Sequence, residues 1–421
     1  MLEILKGALK MGELRKKIIF TLLMLLVFRI GTHIPVPGLN PKAMEQLFSG
    51  AFFGFFDVVS GGAFKKLSIF AMSITPYINA SIIMQLLTVV IPKLERLAKE
   101  GEEGRKKITQ YIRYGTVVLG LIQATGLAIA LKKNGAFLQN NYGQLALVAL
   151  TLTAGTAFLM WLGEKITEKG IGNGISLLIF AGIVSRLPSG VVSIYQLLKS
   201  GSINPLSVIL LLAIAILVIA AVIFVTEGQR KIPVQYAKRV VGRKVYGGQS
   251  THIPMKVNQA GVIPVIFASS LLLIPQTISQ TFPASGFAKF MNVNFTWKSP
   301  AYIIAQILLI VFFTYFYTAI TFNPMDVADN MKKYGGFIPG LRPGRSTAEY
   351  LDKVLTRITL SGALFLGLIA TLPNFMIVAT KIDIASGFGG TSLLIVVGVA
   401  LETMKQMESH LLTRHYQGFM K

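Results

Sequence analysis

The sequence predicts an all-α polytopic membrane protein with ten transmembrane helices in two halves of five. Of its 421 residues, 53% are hydrophobic and 14% are charged, and the mean hydropathy is +0.62. Soluble domains carry about 25% charged residues. A membrane-spanning helix needs roughly 20 mainly apolar residues. By that rule the predicted spans are 18–34, 73–91, 111–131, 145–163, 174–187, 206–226, 260–280, 301–322, 356–379 and 390–408.

Charge fixes the predicted orientation of these spans. With the loops assigned alternately to two sides, one side receives 29 Lys and Arg and the other receives 10. Cytoplasmic loops carry the excess of Lys and Arg, so both termini are expected in the cytoplasm. The net charge of +23 is therefore explained mostly by topology and does not require nucleic-acid binding. No small-residue cleavage site follows the first apolar run, which reads as a retained span.

The ten spans divide into five and five, so the second half begins on the opposite side of the membrane. Such a division is typical of two repeats with inverted topology, in which the functional site lies between the halves. We place the halves at 1–205 and 206–421. No sequence repeat between them is visible, and the span count alone supports the symmetry.

Two long basic loops lie on the cytoplasmic side. In 227–259, apolar and polar residues alternate around V-Q-Y-A and R-V-V-G-R-K-V-Y, which predicts a hairpin with Gly242 near its tip. In 323–355, three Gly-containing turn signals precede a helix start at Ser346–Glu349. Such defined shape favours a docking surface for a partner, and contact with lipid headgroups is the alternative.

The second half of the stretch Gly61–Ile91 is apolar enough to enter a bilayer and yet carries seven polar or helix-breaking residues. They are Ser73, Thr75, Pro76, Asn79, Ser81, Gln85 and Thr88. A helix facing lipid has no use for such groups, since each unsatisfied one costs several kcal/mol. The composition therefore predicts that this segment lines a pore or packs against other helices.

Several function classes lack the residues that they need. The span cores contain no Asp or Glu, which disfavours ion-coupled transport and aspartyl proteolysis. Cysteine is absent, the four His are scattered without a metal-ligand spacing, and there is no Walker A motif. The run Gly170–Gly174 reads as a tight turn at the membrane rather than a nucleotide loop. We therefore expect no catalytic site, cofactor or metal. A secondary transporter of small solutes with inverted repeats and a structural scaffold remain the alternatives.

Motifs along nearly the whole chain are similar to those of the SecY family, the channel subunits of the Sec protein translocon. They run in family order: FRIGTHIPVPG (28–38), SIFAMSITPYINASIIMQLLTVVIP (68–92), EGEEGRKKITQYIRYGT (100–116), MWLGEKITEKGIGNGISLLIFAGIV (160–184), GQSTHIPMKVNQAGVIPVIFASS (248–270), FNPMDVADNMKKYGGFIPGLRPG (322–344) and GGTSLLIVVGV (389–399). The segments outside the resemblance are mainly the external loops 132–144 and 281–300.

The resemblance implies a central hourglass pore with an apolar ring at its waist. Residue by residue, that ring falls on Ile74, Ile78, Ile175, Ile179, Ile266 and Ile395. By spacing alone, the pairs Ile74–Ile78 and Ile175–Ile179 would be ordinary packing residues. Aliphatic side chains suit such a ring because they fit around an extended chain and exclude water and ions when the pore is empty.

The resemblance also implies a plug and a lateral gate. The plug corresponds to roughly 55–67 and includes Phe55, Phe56, Asp57, Gly61, Gly62, Phe64 and Leu67. The gate lies between spans two and three on one side and spans seven and eight on the other. Its candidate polar residues are Asn79, Gln85, Ser269 and Ser270. Without the resemblance, the plug segment would read as a re-entrant loop.

The implied function is a protein-conducting channel that moves unfolded secretory proteins across the bacterial plasma membrane and releases apolar segments into it. The implied partners are SecE, SecG, the SecA ATPase, the ribosome, and an unfolded preprotein with its signal sequence, in contact with membrane lipids. The expected docking residues for SecA and the ribosome are Arg230, Lys231, Arg239, Arg243, Lys244, Arg342 and Arg345.

Overall fold

The computed structural model describes eleven parts of the chain. They are 11–40, 62–63, 66–133, 135–139, 141–236, 239–241, 244–246, 250–281, 285–296, 299–380 and 390–418. These residues form fourteen helices: α1 (Gly12–Gly31), α2 (Thr75–Val90), α3 (Pro92–Lys99), α4 (Glu102–Lys133), α5 (Tyr142–Lys169), α6 (Gly174–Val184), α7 (Leu187–Lys199), α8 (Pro205–Glu227), α9 (Ile263–Thr281), α10 (Gly286–Asn294), α11 (Pro300–Thr321), α12 (Pro324–Lys333), α13 (Arg345–Thr380) and α14 (Gly390–Gly418).

Each of the ten predicted spans coincides with a helix. Among the described residues, six helical stretches are long and apolar enough to cross a membrane, or seven if α2 and α3 count as one span bent by 101°. The other three predicted spans fall on α1, α9 and α14. The chain is therefore a multi-pass membrane protein.

The predicted end of the fifth span at residue 187 is wrong. Helix α6 passes into α7 near Ser185, and Gly174–Lys199 is one apolar stretch of 26 residues. Pro188 stands in the first turn of α7, where its missing N–H has no intrahelical role and its fixed φ suits a helix start. The proline therefore marks a local break and not the end of the span.

A single buried hydrophobic cluster connects the two proposed halves. It contains side chains of α1, α2, α5 and α6 together with side chains of α8, α9, α11, α13 and α14. Across the predicted gate, α2 and α4 both contact α9. Elsewhere α14 contacts both α6 and α8. The core of the molecule thus lies between the halves.

Glycines let the backbone approach closely where the first-half helices meet. A Cβ on Gly155 in α5 would clash with the carbonyl oxygen of Ile69, in the segment before α2. A Cβ on Gly174 at the start of α6 would clash in the same way with the carbonyl oxygen of Gly163. Both contacts involve backbone atoms, which cannot rotate away.

The two long loops carry five strands and fold together. The strands are β1 (Gln229–Tyr236), β2 (Arg239–Val241), β3 (Lys244–Tyr246), β4 (Ser250–Lys256) and β5 (Gly336–Phe337). Strands β2 and β3 pair antiparallel with Val241 opposite Lys244, which confirms the predicted hairpin. Gly242 and Arg243, between those strands, lie outside the described residues.

The first loop also pairs with the second, which the sequence did not indicate. Strand β1 lies between β4 and β5, and Gln235 pairs with Phe337 of the second loop. A buried cluster lies beneath the sheet and includes Ile232, Met255, Ile338 and Leu351. The side of the molecule that carries this unit is called the loop face below.

We expect Gly155→Ala to lower the stability of the protein by about 1–3 kcal/mol, because the added methyl group must displace the backbone at Ile69. Gly120→Ala is the matched control, since the nearest atom to its new Cβ would be 3.8 Å away, at Thr153. Thermal unfolding of both purified variants in detergent checks this. Equal midpoints for Gly155→Ala and the parent chain would contradict the close approach.

Candidate functional site

Four helices bring the predicted ring residues to one place. All six isoleucines belong to the same hydrophobic cluster, in which five are buried and Ile175 is half-buried. Ile74 caps the start of α2 and Ile78 lies one turn later, joined to it by a backbone hydrogen bond of 3.0 Å. Ile179, Ile266 and Ile395 come from α6, α9 and α14. The cluster contains side chains from both proposed halves of the chain.

Ile175 is placed differently from the other five ring candidates. Its Cδ1 atom lies against Gly163 of α5, at the position that a Cβ there would occupy. The side chain thus contributes to the contact between α5 and α6. In this conformation it sits at the edge of the cluster rather than within it.

The start of α6 is shaped by the predicted tight turn. The side chain of Asn173 accepts a hydrogen bond of 3.2 Å from the backbone N–H of Ser176, so Asn173 caps the helix. Gly172 has a φ of +84°, which favours glycine. The turn directs α6 into the bundle, so Ile179 reaches the central cluster.

The turn is also fixed by residues that the sequence analysis missed. The hydroxyl oxygen of Thr21 in α1 accepts a hydrogen bond of 3.0 Å from the N–H of Ile171. The side-chain oxygen of Gln406 in α14 accepts one of 2.9 Å from the N–H of Gly172. The Gly-rich run pointed to a turn, but nothing in the sequence connects it with residues about 150 and 234 positions away.

The segment before α2 adopts an unusual backbone. Leu67 and Ser73 have φ values of +39° and +52°, in the left-handed region that non-glycine residues avoid. Both residues are buried, and Pro76 then opens α2. Such conformations cost of order 1–3 kcal/mol each and persist where surrounding packing imposes them. The close contact at Gly155 supplies part of that packing.

Most of the predicted plug lies outside the described residues. This applies to Phe55, Phe56, Asp57, Gly61 and Phe64. Of the remaining candidates, Gly62 has a φ of +87° and Leu67 is buried in a cluster with residues of α4 and α5. The described end of the plug segment therefore packs against the first half of the chain.

Three of the four predicted gate residues are buried, and Gln85 is half-buried. Asn79, Ser269 and Ser270 are buried on α2 and α9, the two helices in contact there. The amide nitrogen and oxygen of Asn79 have no hydrogen-bond partner among the described residues. Leaving such groups buried and unpaired costs about 1–3 kcal/mol. The side chain of Gln85 instead donates a hydrogen bond of 3.1 Å to Ser81 of the same helix.

Four of the seven predicted docking residues have described side chains, and all four are exposed on the loop face. The exposed residues are Arg230 and Lys231 of β1, together with Arg342 and Arg345 near the start of α13. Arg345 forms an exposed ion pair of 3.0 Å with Glu349. Arg239 and Lys244 begin β2 and β3, while Arg243 lies outside the described residues. In the part of the chain that the structure describes, no three His, Asp or Glu residues are grouped so that they could hold a metal ion.

Comparisons with known proteins bear on the whole chain. A family model described as SecY matches residues 68–404. The protein translocase subunit SecY of Halalkalibacterium halodurans is 51% identical, and the match covers 100% of both chains. The subunit of the same name from Pseudomonas aeruginosa is 48% identical over 98% of this chain and 94% of the relative.

Solved structures match over the same extent. One is described as "The structure of a protein conducting channel", with a TM-score of 0.69, 21% identity and coverage of 94% of this chain and 92% of the other. Another is Sec61 in a canine ribosome-channel complex from the endoplasmic reticulum, with a TM-score of 0.65, 19% identity and the same coverage. These similarities confirm the predicted fold class of ten helices in two halves.

The family model matches most of the chain, and full-length relatives share about half of its residues. SecY proteins are channel subunits and not enzymes, in agreement with the prediction that no catalytic site is present. This chain belongs to the SecY family.

Proposed function

We propose that the polypeptide path of this protein-conducting channel passes through the cluster of ring isoleucines. The observation that carries this proposal is the convergence of Ile74, Ile78, Ile179, Ile266 and Ile395 from four helices of both halves. Ile175 joins the ring from the edge once α6 shifts relative to α5. An unfolded secretory chain would then pass between the halves 1–205 and 206–421.

The chemistry of this constriction suits a peptide and not a small ion. Aliphatic side chains offer no hydrogen bonds, so an empty constriction stays dry and resists ion flow. The isoleucines contact a passing chain only through apolar contacts, and these form again with each residue that enters the constriction. A segment rich in Leu, Ile, Phe or Val lowers its free energy by leaving for the lipid, whereas Asp, Lys and Arg favour continued passage. Transport is thus a partition between environments, and the energy comes from a partner.

A secondary transporter of small solutes is the less favoured alternative. Such a site needs charged or strongly polar side chains near the middle of the membrane. The span cores contain no Asp or Glu. The ion pairs described on spans, Arg113–Glu164 and Lys405–Glu227, lie at or near the predicted cytoplasmic ends of those spans. A scaffold would need neither the ring nor the buried, unpaired Asn79.

The plug and the lateral gate are assigned as part of this proposal. The proposed plug is residues 55–67, of which the structure describes 62–63 and 66–67. The gate is the seam between α2 and α4 on one side and α9 and α11 on the other, with Asn79, Ser269 and Ser270 along it. The unpaired amide of Asn79 favours opening, because it gains partners when the seam admits water or a peptide. Gln85 exchanges Ser81 for a partner across the seam as it opens.

The loop face is the proposed docking surface on the cytoplasmic side of a bacterial plasma membrane. The excess of Lys and Arg on this side supports a cytoplasmic location for both termini. Arg230, Lys231, Arg342 and Arg345 are exposed there. We assign Arg239, Arg243 and Lys244 to the same surface because Arg239 and Lys244 begin the paired strands β2 and β3 of the first loop. The proposed partners are the ribosome, contacted through its RNA, the SecA ATPase, and the small subunits SecE and SecG.

Crosslinking tests the path directly. A photoreactive residue at position 78 should crosslink to a stalled, ribosome-bound nascent chain in proteoliposomes, because Ile78 lies in the central cluster. The same probe at position 216 is the control, since Ile216 is exposed on α8, where it faces lipid. Equal crosslinking from both positions, or none from position 78, would exclude a path through the ring.

Replacing Ile78 or Ile266 by Asn should raise resting ion conductance several-fold, because an amide holds water in a constriction that aliphatic groups keep dry. Ile78→Leu keeps the apolar surface and should preserve the seal. Single-channel recordings in planar bilayers provide the measurement. A conductance that is unchanged in both Asn variants would argue that these residues only pack the core.

Arg342→Glu should weaken ribosome binding and make the affinity fall less steeply with salt, by about one unit of slope for one lost phosphate contact. The control is Lys199→Glu, an equal charge change at the exposed end of α7 on the opposite face. Binding of ribosomes to proteoliposomes is measured across a salt series. If both variants behave like the parent chain, Arg342 has no part in docking.

A further inference from the structure

Helix α10, between the seventh and eighth spans, has two apolar faces. Ser285 caps it by accepting a hydrogen bond of 3.1 Å from the N–H of Ala288. On the inner face, Ala288 and Met291 are only 0% and 6% exposed, and α10 contacts α9. On the outer face, at positions that recur every three residues, the exposed side chains are Phe287 (46%), Phe290 (58%) and Val293 (75%). The packing of the inner face fixes the direction of the outer one.

The position of α10 along the membrane normal follows from its neighbours. At 1.5 Å per residue, the 19 residues of α9 extend about 28 Å and the 22 of α11 about 33 Å, close to the roughly 30 Å of a hydrocarbon core. The C-terminal end of α9 and the N-terminal end of α11 therefore lie near the membrane surface opposite the loop face. The ring of Phe295, directly after α10, packs edge-on against Tyr302 in the first turn of α11, with centroids 5.6 Å apart. This contact holds α10 at the boundary of the bilayer.

The composition of the connection agrees with that position. Residues 282–299 contain five aromatic residues, two lysines and no Asp or Glu. Lys289 is exposed on the flank of the outer face, where its ammonium group can reach a phosphate. Aromatic rings beside lysine are typical of helices that lie in the interface between headgroups and acyl chains. In water, three large apolar side chains on one face of a nine-residue helix would remain uncovered.

We infer that α10 is an interfacial helix whose outer face of Phe287, Phe290 and Val293 inserts into the lipid leaflet opposite the loop face. It anchors the ends of α9 and α11, the two second-half helices of the proposed gate. The occupant of this face is lipid. A partner subunit and a second copy of the chain are the competing occupants that the experiment must distinguish.

Tryptophan fluorescence in vesicles tests this inference. The chain has two tryptophans, Trp161 and Trp297, which are replaced by Phe to give a silent background. Phe290→Trp then reports on the outer face, and Lys289→Trp, one residue away on the flank, is the matched control. The purified chain is reconstituted alone, at a low protein-to-lipid ratio, in phosphatidylcholine and phosphatidylglycerol with or without lipids brominated on their acyl chains.

We expect Phe290→Trp to show blue-shifted emission, strong loss of fluorescence with brominated lipid and weak quenching by acrylamide. Lys289→Trp should emit further to the red and be quenched more by acrylamide. The inference is overturned if Phe290→Trp is open to acrylamide and insensitive to brominated lipid. It is also overturned if protection from both quenchers appears on adding the partner subunits or raising the protein-to-lipid ratio, because protein would then cover the face. Circular dichroism confirms folding, and the measurement requires no transport, so its failure leaves the proposed channel function standing.

Discussion

The structure depends on apolar contact between two halves that share one buried cluster. Ile78, Ile266 and Ile395 lie in the same cluster as the residues that pack α8, α11 and α13. Hydrophobic and dispersion contacts have no required direction, and each atom pair contributes only a small energy. Such a surface can separate and close again without leaving a buried charge unpaired. In the proposed mechanism, the same side chains therefore serve as the seal and as the movable interface.

The rigid parts of the molecule use a different kind of contact. At Gly155 and Gly174 the backbone of one element touches the backbone of another, and no side chain can rotate to admit a larger residue. These contacts join α5 to the segment before α2 and to the start of α6. They hold Ile74 and Ile179 in place from within the first half, so the ring depends on supports that are themselves inflexible.

The sequence was sufficient for the spans and insufficient for the contacts between distant segments. Hydropathy located the ten spans because each of them is mainly apolar, and the end of the fifth was placed wrongly. The hairpin of β2 and β3 could be predicted because its alternating residues and its glycine lie close together in the sequence. Strand β5 has two residues and pairs with a strand about 100 positions earlier, so no alternation could reveal it. Likewise, i and i+4 spacing put Ile175 and Ile179 on one side of α6 but could not show that Ile175 lies against Gly163.

Two contacts with the second half differ in their hydrogen bonding: one is made by the turn before α6 and the other by α2. Near the loop face, Gln406 of α14 accepts a hydrogen bond from the backbone N–H of Gly172, so separating these groups leaves a donor and an acceptor in need of new partners. On α2, which contacts α9 across the proposed gate, the buried amide of Asn79 has no hydrogen-bond partner among the described residues, and in the proposed mechanism it gains partners when the gate opens. In the proposed mechanism, the motion that costs less keeps the first contact and opens the second. In that proposal, the apolar contacts between the halves favour no direction of opening, and the polar groups at the edges of the core favour one.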